Sequence, residues 1–342
     1  MINSTLFVLT GILCICEVVV RTSAQNHGNK SEEDAIHFYY YPNPLNSSER
    51  EELSLASSSS FKNAKLQRDR HAKIIVHGAG GSCLKLDFPF RAVEAYLRAK
   101  ASGRENYNVF CLDYGPLGQP GPIPGDGLPS IRKRYEYVGE LVSEKATKMI
   151  LGLKANGFVS DFEQIHIIGH SLGGQISGFI GRKIQEKSNY QNMLGRITGL
   201  DIMNIFLVYN NEVHLKNQLD LSDAKFVDII HTSPIGLRGD YGHVDFYPDG
   251  GLHQRSCLTK GPVSNVTEMI IGGCSHVIVG KYWENSIDHP NAIKACKAES
   301  WERYESKKKS RECRPDDSIT FGEYVPKDTR GKYYLDYPLI KI

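Results

Sequence analysis

The pentapeptide Gly169-His170-Ser171-Leu172-Gly173 places a hydroxyl nucleophile between glycines in the pattern G-x-S-x-G. A serine in that frame can sit on a sharp strand-to-helix turn, because the glycines let the adjoining strand and helix close in around it. The flanks fit such a turn. Ile165, Ile167 and Ile168 form a β-branched run suited to a buried strand, and Ile176, Phe179 and Ile180 recur at helical spacing. Three fixed positions also occur by chance, and an idle serine on a tight turn would look the same in isolation. For acyl transfer the serine needs a base to take its proton, and the base needs an acid to hold its tautomer.

Both are available downstream. Ile197 to Asp201 reads as a strand ending on a carboxylate, and Asp220, Asp223 and Asp228 are rival acids. Among the later histidines, His214, His231, His243, His253, His276 and His289 are eligible as base. His276 follows the loop Gly272-Gly273-Cys274-Ser275 just ahead of the helical pattern Val277 to Asn285, and His231 ends the strand pattern Lys225 to Ile230; these two lead. Upstream, the strand Lys73 to His77 runs into Gly78-Ala79-Gly80-Gly81. Its unshielded backbone N–H groups suit an oxyanion hole, or serve as a plain glycine connection.

These groups meet only if the chain supplies a sheet. Asn108 to Asp113 is a further strand, and Glu136 to Leu153 is an amphipathic helix with Val138, Leu141, Val142, Met149, Ile150 and Leu153 on one face. Strands alternating with helices predict an α/β fold with a mostly parallel, doubly wound sheet, whose carboxyl ends would gather Gly78, Ser171 and Asp201. The order Ser, Asp, His is the one expected of an α/β-hydrolase fold and favours Asp201 as the acid.

Around that domain, assigned to residues 64–342, residues 1–24 read as a signal peptide: Leu6 to Cys16 is an apolar run too short to span a bilayer, followed by Thr22-Ser23-Ala24. Residues 25–63 read as a polar, Ser-rich N-terminal arm with one short strand candidate, Ile36 to Tyr41. No other region has the pattern of a transmembrane anchor, and a net charge of +2 gives no pointer to nucleic acid. The basic run Lys307-Lys308-Lys309 with Arg311 reads as a solvated face. Beyond the signal, Cys83, Cys111, Cys257, Cys274, Cys296 and Cys313 form an even set suited to a secreted, extracellular protein, and proximity favours pairing each with its neighbour in that order. Asn29, Asn46 and Asn265 begin glycosylation sequons.

The stretches His77-Gly78, NVFCLDY from Asn108, HIIGHSLGGQISGFIG from His166, GRITGLD from Gly195, LDLSDAKFVDIIHTS from Leu219, GHVDFYPDGG from Gly242 and Cys274-Ser275-His276 together resemble the pancreatic-lipase family. The resemblance is to its shorter branch of insect-type lipases, phospholipases A1 and yolk proteins, without the C-terminal β-sandwich domain of longer relatives. It implies a carboxyl-ester hydrolase acting on glycerolipids at a micelle, droplet or membrane surface. The alternative is a non-catalytic lipid-binding or yolk-type protein. The family's triad maps onto Ser171, Asp201 and His276, and its oxyanion donors onto the N–H groups of Ala79 and Leu172. Its lid maps onto Leu258 to Gly273 between Cys257 and Cys274, with Met269, Ile270 and Ile271 as the apolar part. The chain departs from the pattern at Ala79, where the family has a bulky aromatic, and at Ile202-Met203, where it has Pro-Ala. No cofactor is expected. Family members with structural calcium use a Glu, an Arg and two Asp; Asp220 and Asp223 match, but Gln218 stands in place of the Arg.

Overall fold

A computed structural model of the chain describes residues 32–54, 58–85, 87–119, 128–204, 218–259, 268, 272–310, 313 and 318–340. The central strands are β-branched and aromatic runs buried on both faces, as parallel strands between helix layers must be. β3 (His71–Val76) carries Ile74 and Val76 on one face and Ile75 on the other, so its alternate residues enter two separate cores. β4 (Tyr107–Asp113) is buried along its whole length. So is β6 (Leu194–Leu200), two strands beyond β3, with β5 (Ile165–His170) between them.

Two helices cover one face: α3 (Leu128–Ala155) and α4 (Leu172–Lys187), the latter burying Leu172, Ile176, Ile180 and Ile184 at four-residue spacing. The other face packs on α2 (Phe90–Ala101) and α5 (Gly273–Asp288), through residues such as Tyr96, Ile278, Tyr282 and Trp283. With β7 (Ala224–Ile230), β8 (Val244–Pro248) and β11 (Gly331–Leu335), the parallel part of the sheet runs β4-β3-β5-β6-β7-β8-β11.

The chain winds outward from β3 to β4 and then crosses back to β5 on the other side of β3. That reversal opens a crevice at the carboxyl ends of β3 and β5, where such sheets place their sites. Register then does the positioning. Val76 lies opposite Gly169, His170 opposite Leu200, and Leu200 opposite Ile230. Gly78, Ser171, Asp201 and His231 therefore emerge along one edge.

Antiparallel strands extend both ends. β1 (His37–Tyr41) and β2 (Glu51–Leu53) follow β4, and β9 (Lys294–Lys297) and β10 (Ser318–Thr320) follow β11. Two short helices, α1 (Ser58–Asn63) and α6 (Trp301–Lys309), complete the described α-helices. Within the expected polar arm over residues 25–63, the strand candidate at Ile36 to Tyr41 is present as β1, and β2 and α1 join the fold as well. Phe38, Tyr40, Leu53 and Phe61 are buried in the same core as β3. Tyr40 can enter because its hydroxyl donates to the Lys65 carbonyl (3.0 Å) and to Asn108 Oδ1 (3.3 Å). The three disulfides pair as proximity suggested: Cys83–Cys111, Cys257–Cys274 and Cys296–Cys313. Among the described residues, no helix is long and apolar enough to cross a membrane.

Candidate active site

Ser171 sits between β5 and α4 with φ 55° and ψ −121°. A non-glycine residue in that region carries strain of about 1–3 kcal/mol, and the surroundings must hold it there. They do so by close approach. A β-carbon on Gly169 would lie 2.3 Å from the Gly173 carbonyl oxygen, and one on Gly173 would lie 2.4 Å from the carbonyl oxygens of both Val76 and His77. The Ser171 N–H donates to the Leu200 carbonyl (3.0 Å), which ties the turn to β6.

His276 lies in the first turns of α5. Gly272, left-handed at φ 67°, starts that helix, and the His276 N–H donates to the Gly272 carbonyl (2.8 Å). The buried Glu268 carboxylate accepts from the N–H groups of Cys274 (2.9 Å) and Ser275 (3.0 Å), neutralising the positive end of the helix. The Cys257–Cys274 disulfide anchors the same turn. His276 Nδ1–H donates to Asp201 Oδ2 (2.6 Å), which leaves Nε2 to accept from the Ser171 hydroxyl (2.9 Å).

Asp201 follows β6 with φ 42° and is fully buried. Oδ1 accepts from the N–H groups of Thr232 (2.7 Å) and Ser233 (3.0 Å), while Oδ2 accepts from the Ser233 hydroxyl as well as from His276. Burial works to raise its pKa, but the His276 contact and these donors outweigh it and hold the carboxyl below its ordinary value. The unusual Ile202-Met203 does not disturb this. Ile202 is buried over Gly174 and Gly199, its carbonyl accepts from Leu237 N–H (2.7 Å), and the Met203 carbonyl accepts from Gln175 Nε2 (3.0 Å).

On the opposite side of Ser171 is the glycine loop after β3. Gly78 approaches so closely that a β-carbon there would lie 2.8 Å from Ser171 Cβ. Tyr114 braces the loop: its N–H donates to His77 Nε2 (3.1 Å), its hydroxyl to the His77 carbonyl (2.5 Å), and its ring stacks on His77 at 4.1 Å. His77 is thus protonated on Nδ1, which donates to the Gly78 carbonyl (2.8 Å). Ala79 follows, and Leu172, the first residue of α4, has an N–H with no acceptor inside the helix. The triad is covered: Ser171 is 3% and His276 7% exposed.

The rival groups are engaged with other partners. His231 is buried, bonded to the Leu237 carbonyl (2.9 Å) and to Asp245 (2.8 Å), and stacked on Tyr247. Asp228, within β7, accepts from both Arg196 Nε and Nη2 (2.8 Å each). His243 Nδ1 accepts from Val227 N–H. At the calcium locus of the resemblance, Asp220 Oδ1 turns to Ser222 N–H (2.7 Å). Arg182 Nη1 donates to both oxygens of Asp223 (2.9 and 2.8 Å) and to the Gln218 carbonyl (3.1 Å). The Asp223 carboxylate and the Gln218 carbonyl thus serve the Arg182 guanidinium. Cys257, Glu268 and Cys274 also lie close together, but the cysteines are joined in a disulfide and cannot ligate. Asn46 is on an exposed turn. Met269, Ile270, Ile271, Asn29, Asn265 and His214 lie outside the described residues. Sequence reasoning missed Ser233, Gln254 and Glu268. Gln254 joins the acid and base loops: its side-chain amide donates to the Thr232 carbonyl (3.0 Å) and its N–H donates to Ser275 Oγ (2.8 Å).

A mostly parallel sheet reversed at β3, with a serine on the turn after β5 facing an aspartate that follows β6 and a histidine from helix α5, defines an α/β hydrolase. Within that class the chain belongs to the lipase family, whose model matches residues 16–337. It is 28% identical over 274 residues to pancreatic triacylglycerol lipase of Cavia porcellus, covering 74% of this chain and 52% of that protein. It is 28% identical over 275 residues to inactive pancreatic lipase-related protein 1 of Homo sapiens (75% and 52%). Lipase member H of Rattus norvegicus is 35% identical over 180 residues (48% and 36%). The chain spans about half the length of the pancreatic relatives it matches.

Proposed function

We propose that this protein is a secreted serine hydrolase that cleaves carboxyl esters of glycerolipids, a triacylglycerol lipase with a phospholipase A1 component. The observation that carries the proposal is the unbroken relay from Ser171 Oγ through the His276 ring to Asp201, at 2.9 and 2.6 Å. Ser171 Oγ attacks the acyl carbonyl as its proton passes to His276 Nε2. Asp201 stabilises the imidazolium that forms. The N–H groups of Ala79 and Leu172 receive the developing oxyanion, each such donor being worth on the order of 10²–10³ in turnover. His276 then protonates the leaving alcohol, and water, activated by the same base, releases the fatty acid from the serine.

Three disulfides support an extracellular location. Family membership supports a lipid substrate met at a micelle, droplet or membrane surface. The small Ala79 and the short chain between His231 and Gly242 support entry of polar head groups, and hence hydrolysis of phosphatidylcholine at sn-1. The test is one mass-resolved assay of the secreted protein and its Ser171→Ala variant on triolein, phosphatidylcholine and a water-soluble short-chain ester. Fatty acid release that requires Ser171, with sn-1 lysophospholipid among the products, is the expected result. Release from triolein without lysophospholipid removes the phospholipase component. Release from none of the three leaves the lipid-binding alternative.

A further inference from the structure

His170, between the glycine and the serine of the turn, takes no part in the steps above, yet it lies against both the base and the glycine loop. Its Nε2–H donates to the main-chain carbonyl oxygen of His276 (2.9 Å). The two imidazole rings lie 4.8 Å apart, tilted by 39°. On another side, a β-carbon on Gly78 would come within 3.2 Å of His170 Nδ1, so this nitrogen faces the glycine loop. Phe88 closes a third side edge-on, with ring centres 5.5 Å apart. Burial, and next the neighbouring His276, push the His170 pKa down to about 3, so the ring stays neutral.

Asp201 and the Ser171 hydroxyl hold the two nitrogens of the His276 ring, but neither side-chain bond fixes the backbone of the base relative to the serine. The bond from His170 supplies that link, because it runs from the residue beside the nucleophile to the backbone of the base. A neutral ring there also places no positive charge against the imidazolium that forms on His276. We propose that His170 is a positioning residue that sets the angle and distance at which His276 meets Ser171. This rests on the hydrolytic reading for its kinetic consequence, though not for its geometry.

The test compares His170→Phe, which keeps a ring and removes the donor, with His170→Gln, which returns a donor of similar reach. Three quantities are measured: kcat and KM on a soluble short-chain ester, the thermal midpoint, and the low-field proton resonance of His276 Nδ1–H. A base misplaced by up to 1 Å costs up to about 10²-fold, so His170→Phe should lower kcat by about 10- to 100-fold, with KM within about twofold. It should also shift or abolish the low-field resonance, and His170→Gln should recover most of both. Wild-type kcat and an unchanged resonance in His170→Phe would overturn the proposal. So would equal losses in both variants that follow a lowered thermal midpoint, since those mark packing alone. If the wild-type protein hydrolyses no ester, the hydrolytic reading fails, and the resonance still decides: unchanged in His170→Phe, it overturns the role of His170.

Discussion

Gly173→Ala separates the fold from the chemistry. Gly173 is in the first turn of α4, and a β-carbon there would lie 2.4 Å from the carbonyl oxygens of Val76 and His77. Reaching even the 3.0–3.4 Å of tight real contacts needs a shift of 0.6–1.0 Å, and the obstacles are backbone atoms that cannot rotate away. Alanine regains about 1 kcal/mol of helix propensity. Overpacking of this kind costs about 1–3 kcal/mol. The net loss is small enough for the protein to fold, with a thermal midpoint lower by a few degrees. The displaced carbonyls, however, belong to the chain that enters Gly78 and Ala79 beside Ser171. Moving the oxyanion donors by that distance should lower kcat on the order of 10²-fold. Parallel measurement of thermal midpoint and kcat on a short-chain ester checks this. A Gly173→Ala protein with full kcat would show that contact between β3 and α4 does not fix the donors.

His276→Ala should lower kcat to background, a loss on the order of 10⁶, because the base acts as a unit with the serine. His231→Ala instead strands the buried Asp245 carboxylate, so it should cost about 3–5 kcal/mol in a denaturation midpoint while its folded fraction keeps far more activity. Equal kcat losses per folded molecule would contradict the assignment of the base. Stability should also fall on the acid side of neutrality. Burial, then Lys73 and Arg196, hold the His166 pKa well below its ordinary value. Below about pH 6.5 the unfolded chain therefore takes up a proton that the folded one refuses, and stability present at pH 7 is lost as the pH falls. Urea midpoints at pH 7 and pH 5 measure this, and His166→Gln should reduce the difference, the lowered His170 supplying part of what remains; an equally steep fall in that variant would assign the effect elsewhere.

The strand, turn and helix around Ser171 were legible because glycine spacing and hydrophobic period are local signals. Chain order then pointed to Asp201, and loop composition favoured His276 over His231. The core role of residues 36–53 was not legible, since a tyrosine-rich strand between polar turns reads as an arm until Tyr40 finds Asn108, a residue far along the chain. β9, β10 and β11 were also missed, because strands of three to five residues have almost no period of their own. Ser233 and Gln254 reach the acid and base loops across more than twenty residues of chain, Glu268 acts on N–H groups six and seven residues on, and His170 stands in the glycine frame beside the serine. Residue type and local period do not reveal which partner each of them takes.

The central claim is that Ser171 is the nucleophile activated by His276. The most direct test is to treat the protein with an alkyl fluorophosphonate, digest it and locate the adduct by mass spectrometry. The account predicts one adduct, on Ser171, absent from Ser171→Ala and formed far more slowly in His276→Ala. An adduct on another residue, or labelling of Ser171 at the same rate without His276, would contradict it.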